Sequence, residues 1–398
     1  MDGKHHRHTP ELDGIRGWAC ASVLIAHCLT GIAQKVAWMQ TVNQHTLWLL
    51  LSGVDLFFVL SGFLIGGILL DSKTQPHYFR TFWIKRVARI FPVAYLMLAT
   101  YATALFITAQ FGITRFDNWL LAEYRPPLWT FATFTQSLPI ALHGYGGPRW
   151  MAMTWSLAIE EQFYLFFPFA VYFLRRRWLV AVVLAGLVVA PILREVFLHL
   201  FSDWYGPYVL LPSRMDALMY GVVVALIVRS LPALVIARRL RRPLDVAALV
   251  ILWAIVDDWN LSLWGGFNGP ASPLRHSLFG IMCGILILRV FTYEASLFNA
   301  IWRNSILAKI GLISYALYMY HQAINGLVHG LLFDQEPTIS EPVHLLAAIG
   351  VLAIATGLAT LSYIYFEKPI RRYGAALAAH LSTDNKAIIR TAPADGRA

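Results

Sequence analysis

A chain of 398 residues with 58% hydrophobic, 14% aromatic and only 14% charged side chains carries about half the charge of an ordinary soluble protein, in which Asp, Glu, Lys and Arg make up roughly 25%. That shortfall excludes a soluble globular fold and a disordered one alike, and three cysteines exclude a disulfide framework or an iron–sulfur cluster. The 32 Lys and Arg against 22 Asp and Glu give +10, which in a membrane protein reads as cytoplasmic-loop charge rather than nucleic-acid binding.

A helix crossing ~30 Å of hydrocarbon needs roughly 20 apolar residues. In chain order the predicted spans are Gly17–Gln34, Thr46–Leu70 (interrupted by Asp55), Ile90–Thr114, 153–174 and 178–200. They continue with 207–228, 244–261, 274–292, 310–333 and Val343–Phe366. Basic residues flank both ends: Lys4, Arg7 and Arg16 at the start, Lys368, Arg371, Arg372, Lys386 and Arg390 at the finish. The positive-inside rule places both termini in the cytoplasm and so demands an even number of spans. Ten spans put Arg80, Lys85, Arg86 and Arg89, the triplet Arg175, Arg176 and Arg177, the group Arg229, Arg238, Arg239, Arg241 and Arg242, and Arg303 with Lys309 on the cytoplasmic side. The external loops then hold Asp203, Asp257, Asp258, Asp334, Glu336 and Glu341.

This count requires Pro127–Leu142 to be a re-entrant or interfacial piece of a long external segment, 112–151, with eleven spans as the competing count. Pro126, Pro127 and the Gly144–Pro148 turn cluster favour the broken form. The first apolar run contains His27 and follows Glu11 and Asp13, which reads as a retained helix rather than a removed leader. The expected fold is thus an all-α polytopic membrane protein of about ten transmembrane helices over residues 1–372, followed by a disordered cytoplasmic tail over 373–398.

Ionisable side chains inside spans are costly, so each marks a candidate for function. Arg16 and His27 are eleven residues apart, about 1100° of helical rotation, so they share a face within about 20° and lie ~16 Å apart along the axis. The competing reading is an arginine snorkelling to headgroups and a histidine bonded to a neighbouring helix. Arg86 and Arg89 are three apart and project from one face. Two guanidinium forks there would clamp phosphates, although plain inside-positive charge has the same appearance. Ser156, Glu160 and Tyr164 line one face at i, i+4, i+8. Glu160 and Glu161 cannot both be cheaply ionised within a span, and a structural alternative pairs Glu160 with Arg214. Arg214 and Asp216 fall in the sixth span and His321 in the ninth, while Asp55 is expected to be satisfied structurally near a helix end. His5, His6 and His8 crowd the terminus too closely for a catalytic metal site, and no metal is expected.

Six pieces occur in a telling order. They are Leu12-Asp13-Gly14-Ile15-Arg16-Gly17 through to His27, then Gly53-Val54-Asp55-Leu56-Phe57-Phe58-Val59-Leu60-Ser61-Gly62-Phe63-Leu64-Ile65, and Arg86-x-x-Arg89 with Pro92. Trp155-Ser156-Leu157-x-x-Glu160-x-x-Phe163-Tyr164, the run from Ser314 to His321, and Phe366-Glu367-Lys368-Pro369 complete the set. In this the chain resembles the acyltransferase 3 family of integral membrane acyltransferases, from residue 11 to about 372. The resemblance implies a ten-helix bundle that moves an acyl group, most often acetyl, from cytoplasmic acyl-coenzyme A (acetyl-CoA) to an acceptor hydroxyl. It implies that His27 and Arg16 are essential, that Arg86 and Arg89 join Arg16 in binding acyl-CoA, and that Glu160 shares catalysis with His27. Trp155, Ser156, Tyr164 and His321 are the expected acceptor or supporting residues. Many relatives continue into a periplasmic hydrolase-like domain after an eleventh helix. A stand-alone member is expected here, with a separate periplasmic partner left open.

The chemistry suits that implication. Arg16, Arg86 and Arg89 lie near the cytoplasmic rim, where they could bind the phosphates of coenzyme A, and its pantetheine arm would reach inward by a distance similar to ~16 Å. His27 would act as general base on the acceptor hydroxyl or carry the acyl group transiently, with Glu160 orienting the imidazole or holding the acceptor. The first acceptor is a surface or secreted carbohydrate (lipopolysaccharide, exopolysaccharide or a signalling oligosaccharide), the second a small glycosylated metabolite such as a macrolide. Trp119, Tyr124, Trp129, Tyr145 and Trp150 could stack on sugar rings or form an interfacial aromatic belt. The expected home is a bacterial cytoplasmic (inner) membrane, with the lipid bilayer and no nucleic acid as partner. A transporter is the rival of another class, because intramembrane Arg, Glu and His also line substrate paths.

Overall fold

The computed structural model describes residues 9–29, 49–113, 121, 124–144, 147–201, 204–261, 274–293 and 297–391, with side chains described except at 256–261, 297 and 382–391. Lys4, His5, His6, Arg7, His8, Trp119, Tyr145 and Asp203 lie outside the described residues, as do the side chains of Asp257, Asp258, Lys386 and Arg390.

The helices, in order, are α1 (Pro10–Cys28), α2 (Gly53–Ser72), α3 (Tyr78–Phe111), the short α4 (Leu128–Ala132) and α5 (Ser137–His143), α6 (Thr154–Phe173) and α7 (Arg176–Leu200). Then follow the short α8 (Tyr205–Val209), α9 (Leu211–Val228), α10 (Leu231–Arg239), α11 (Arg241–Leu261) and α12 (Arg275–Thr292). The chain closes with α13 (Leu297–Trp302), α14 (Ser305–Phe333), α15 (Pro342–Ser362), a π turn over Tyr363–Glu367, and α16 (Lys368–Thr391). No strand occurs among the described residues. The last helix runs across residue 373, where the sequence suggests that a tail begins, and Gly374 rests against Ala88 of α3.

Among the described residues a helix lies within each of the predicted spans. Among the described residues six helical stretches are long and apolar enough to cross a membrane: Leu49–Ser72, Tyr78–Phe111, Arg176–Leu200, Tyr205–Val228, Arg275–Thr292 and Pro342–Leu381. The chain is therefore an all-helical, multi-pass membrane protein. The other four predicted spans coincide with α1, α6, α11 and α14, which are helical but do not meet that measure. Pro127–Leu142 is not one continuous helix: α4 and α5, of 5 and 7 residues, are separated by a turn in which Phe134 has φ 55°. Pieces about 8 and 10 Å long cannot cross ~30 Å of hydrocarbon.

Burial separates a centre from a periphery. In the apolar windows of Leu49–Ser72, Tyr205–Val228 and Arg275–Thr292, 72%, 61% and 67% of residues are buried, against 28%, 28% and 22% in Tyr78–Phe111, Arg176–Leu200 and Pro342–Leu381. The second group turns Phe106, Val188 and Leu346 outward, as lipid-facing helices do. Glycines set the central crossings. Gly62 of α2 lies on the Leu218 carbonyl of α9 and Gly221 of α9 lies on the Val59 carbonyl, with no room for a Cβ at either. The same device joins α1 to α14, where Gly17 meets the Leu307 carbonyl and Gly311 meets that of Asp13. Between apolar helices in lipid, such close backbone approach supplies the dispersion that no hydrophobic effect provides.

Buried charges tie the centre together. Arg214 donates to Asp55 at 2.9 Å, and His276 Nδ1 lies 3.3 Å from the same carboxylate. Asp216 receives two hydrogen bonds from Arg194, at 2.8 and 2.9 Å, and one from Ser277 at 2.6 Å. These links join α2, α7, α9 and α12. Asp55 is satisfied structurally, as the sequence suggests. Arg214, however, takes Asp55 rather than Glu160 as its carboxylate, because the α2–α9 crossing brings those two helices face to face.

Candidate active site

The chemistry-bearing residues line three cavities whose walls are shared. The widest, about 890 Å³, is a vestibule bounded by Arg16, Lys85, Arg86, Arg89, Arg229 and Arg238 together with Asp13 and Asp71. Asp71 is occupied by Arg229, whose Nε and Nη2 donate to its two oxygens at 2.7 and 2.6 Å. Arg16 donates to Asp13 at 3.3 Å, and the buried Nε of Arg86 has no hydrogen-bond partner. Arg16, Leu64, Arg86 and Arg89 line both the vestibule and a narrow inner cavity of about 100 Å³. The expected proximity of Arg16, Arg86 and Arg89 is thus realised, although they stand on two different helices, α1 and α3.

The inner cavity also receives the predicted face of α6: Ser156, Glu160 and Tyr164 all line it. Ser61 of α2 donates to one Glu160 oxygen at 2.6 Å and the Tyr164 hydroxyl to the other at 3.1 Å. Each Glu160 oxygen thus accepts one hydrogen bond and keeps a further lone pair, and the carboxylate shares the cavity with the guanidinium groups of Arg16, Arg86 and Arg89. It is not the partner of His27.

That partner is His321. His27 Nδ1 lies 2.8 Å from His321 Nε2, with the ring centres 5.1 Å apart and the planes inclined by only 13°, so that the rings meet edge to edge. His321 Nδ1 in turn lies 2.7 Å from the Tyr318 carbonyl oxygen. A carbonyl only accepts, so His321 carries its hydrogen on Nδ1 and offers Nε2 as an acceptor. His27 then donates from Nδ1, which leaves its Nε2 with a free lone pair. Asn325 steadies the same turn of α1 by donating to the His27 carbonyl at 3.3 Å.

His27 opens on a third, outer cavity of about 210 Å³, lined by aromatic rings from Trp155, Trp204, Tyr205, Tyr208 and Tyr318, and by Gln322. Trp155 and Tyr208 approach to 4.5 Å between ring centres. Adjacent residues of α6 therefore serve different cavities, Trp155 the outer and Ser156 the inner, because successive side chains differ by about 100° around a helix. Among the described residues no cluster of three or more His, Cys, Asp or Glu side chains is placed to hold a metal ion.

Sequence reasoning passed over several residues that matter here. Ser61 lies within one of the motifs, but only its position opposite α6 reveals its bond to Glu160. Tyr318 stands three residues before His321, the spacing at which a backbone carbonyl meets a side chain one helical turn on, so a signal for it was present. Arg194 and His276 belong to helices with no other cue, and their roles follow from packing alone.

Comparison with known proteins sets this geometry in context. A family model described as an acyltransferase domain matches residues 9–363. YrhL of Bacillus subtilis, whose assigned name proposes a peptidoglycan O-acetyltransferase, is 29% identical over 93% of this chain and 56% of its own. A Staphylococcus aureus (strain COL) protein, whose name proposes an O-acetyltransferase, is 28% identical over 93% and 58%. The peptidoglycan O-acetyltransferase OatA of Listeria monocytogenes is 26% identical over 92% and 56%. The chain thus spans little more than half the length of the curated relatives it matches, and no solved structure matches it. With nearly its whole length matched by the family model, the chain belongs to the acyltransferase 3 family.

Proposed function

We propose that this protein is an O-acyltransferase of a bacterial cytoplasmic membrane, moving an acetyl group from cytoplasmic acetyl-CoA to a hydroxyl of an envelope carbohydrate. The observation that carries this reading is the succession of cavities with shared walls, from a vestibule rich in Arg and Lys to an imidazole about 16 Å deeper along α1. Coenzyme A has matching parts: phosphates for Arg16, Lys85, Arg86 and Arg89, and a slender pantetheine arm for the narrow inner cavity. Cationic walls also favour a cytoplasmic vestibule, consistent with ten spans and cytoplasmic termini. The carbohydrate acceptor is supported by the printed names of the relatives and by the aromatic lining of the outer cavity, whose ring faces suit the apolar faces of sugars.

In this reading the phosphates pair with the guanidinium groups through charge-assisted hydrogen bonds, and Glu160, held by Ser61 and Tyr164, accepts from the pantetheine amides. His27 Nε2 takes the proton of the acceptor hydroxyl as its oxygen attacks the thioester carbonyl. A carbon–oxygen bond forms, the carbon–sulfur bond breaks, and the proton passes from the imidazolium to the departing thiolate. His321 does not touch substrate; it fixes the tautomer and tilt of His27 and stabilises the imidazolium that forms.

Inverted and right-side-out membrane vesicles test the reading. Labelled acetyl-CoA added to inverted vesicles should place base-labile label on carbohydrate, and sealed right-side-out vesicles should not. Equal labelling of both, or solute flux with no consumption of acetyl-CoA, would contradict it.

A further inference from the structure

The inner cavity holds the arginines and Glu160, the outer cavity holds His27, and His27 does not line the inner one. Two residues line both: Val54 of α2 and Tyr318 of α14. A thioester that arrives from the vestibule must therefore meet the catalytic imidazole where these two side chains stand.

Tyr318 is held there from several directions. Its hydroxyl is 2.8 Å from Ser156 Oγ, which ties α14 to α6 across the junction. The edge of its ring meets Phe57 at 5.8 Å between centroids, in a T-shaped contact. Its carbonyl, separately, accepts from His321. The backbone of Tyr318 thus orients the base while its side chain divides the cavities, and the second role can be altered without the first.

We propose that the Tyr318 ring, with Val54 opposite, is the acyl-length determinant of this enzyme. This proposal rests on the acetyl-CoA reading above and adds to it the residues that set which acyl length is accepted. The acyl group lies at the junction of the two cavities, its carbonyl turned to His27 and its methyl end against the Tyr318 ring and Val54. An acetyl group fits a gap bounded in this way. A longer chain needs the ring to leave its bond to Ser156 and swing away. Walls of this kind discriminate well: a single methylene that a hydrophobic pocket accepts or rejects changes kcat/KM by about 10–200-fold.

The test compares labelled acetyl-, butyryl- and hexanoyl-CoA as donors to the carbohydrate of inverted vesicles that contain the full-length protein. Tyr318→Ala should raise the kcat/KM ratio of hexanoyl to acetyl transfer by about tenfold or more, the lower end of that range. Val54→Ala should raise it less, and Val54→Phe should lower the ratio of butyryl to acetyl transfer. If Tyr318→Ala fails to accumulate in the membrane, the two Val54 variants decide the matter on their own. Ratios in all recovered variants equal to that of the wild type would overturn the proposal while acetyl transfer by the wild type still upheld the enzyme. Absence of wild-type acetyl transfer would instead count against the acyltransferase reading itself.

Discussion

His27 and His321 meet edge to edge with their rings nearly coplanar, Nδ1 of the first 2.8 Å from Nε2 of the second. They lie 294 residues apart and meet because glycines let α1 and α14 approach backbone to backbone. A carbonyl one turn earlier on α14 fixes the His321 tautomer, and through it the tautomer of His27. The backbone of one helix thereby decides which nitrogen of the other is free to act as a base.

Replacing His321 with Ala should lower kcat about 10²-fold, the lower end of what a positioned base contributes, while the KM for acetyl-CoA holds steady. Replacing His27 should remove the chemical step altogether, and the double variant should be no worse than His27→Ala alone, since the two residues act as a unit. Steady-state transfer assays on the three variants check this. A kcat for His321→Ala equal to that of the wild type would show that His321 does not position His27.

Arg86→Ala and Arg89→Ala should each raise the KM for acetyl-CoA. A charge-assisted hydrogen bond is worth about 1.5–3 kcal/mol, so the rise should fall between roughly 10- and 100-fold. The weakening should be milder in high salt, which already screens the vestibule of the wild-type protein. Unchanged KM values in both variants would remove the clamp from the account.

Asp55 and Arg214 are 3% and 1% exposed, so neither tolerates loss of the other. Asp55→Ala should destabilise the detergent-solubilised protein by about 3–5 kcal/mol, the usual cost of leaving a buried charge uncompensated. Asp55→Leu combined with Arg214→Met should recover much of that loss. Thermal unfolding followed by tryptophan fluorescence reads both. A single variant as stable as the wild type would mean that the pair is not buried as described.

Gly62→Val should prevent the α2–α9 crossing, because any side chain there meets the Leu218 carbonyl. The expected result is loss of the folded protein from membranes, measured by size-exclusion chromatography of the extracted chain. A monodisperse, active Gly62→Val variant would contradict the crossing.

What local periodicity dictates was readable in advance. The shared face of Ser156, Glu160 and Tyr164 and the all-helical, multi-pass character of the chain follow from spacing and hydropathy along single segments. Arg16 and His27 do lie on one helix, α1, and line different cavities. The choice of partners was not readable, because it depends on which helices become neighbours. Glu160 was expected beside His27 or, alternatively, paired with Arg214; Ser61 and Tyr164 hold it instead, and His27 meets His321. Arg214 was visible as a buried cation, yet its pairing with Asp55 depends on the Gly62 and Gly221 crossing. The small residues Gly17 and Gly311 were the available signal for the α1–α14 contact, and that contact is what brings His27 to His321.

Donor binding and transfer measured side by side in His27→Ala give the most direct test. The variant should retain wild-type affinity for acetyl-CoA, since the arginines of the vestibule are untouched, and should place no acetyl group on carbohydrate. Transfer by His27→Ala at the wild-type rate would contradict a mechanism centred on that imidazole.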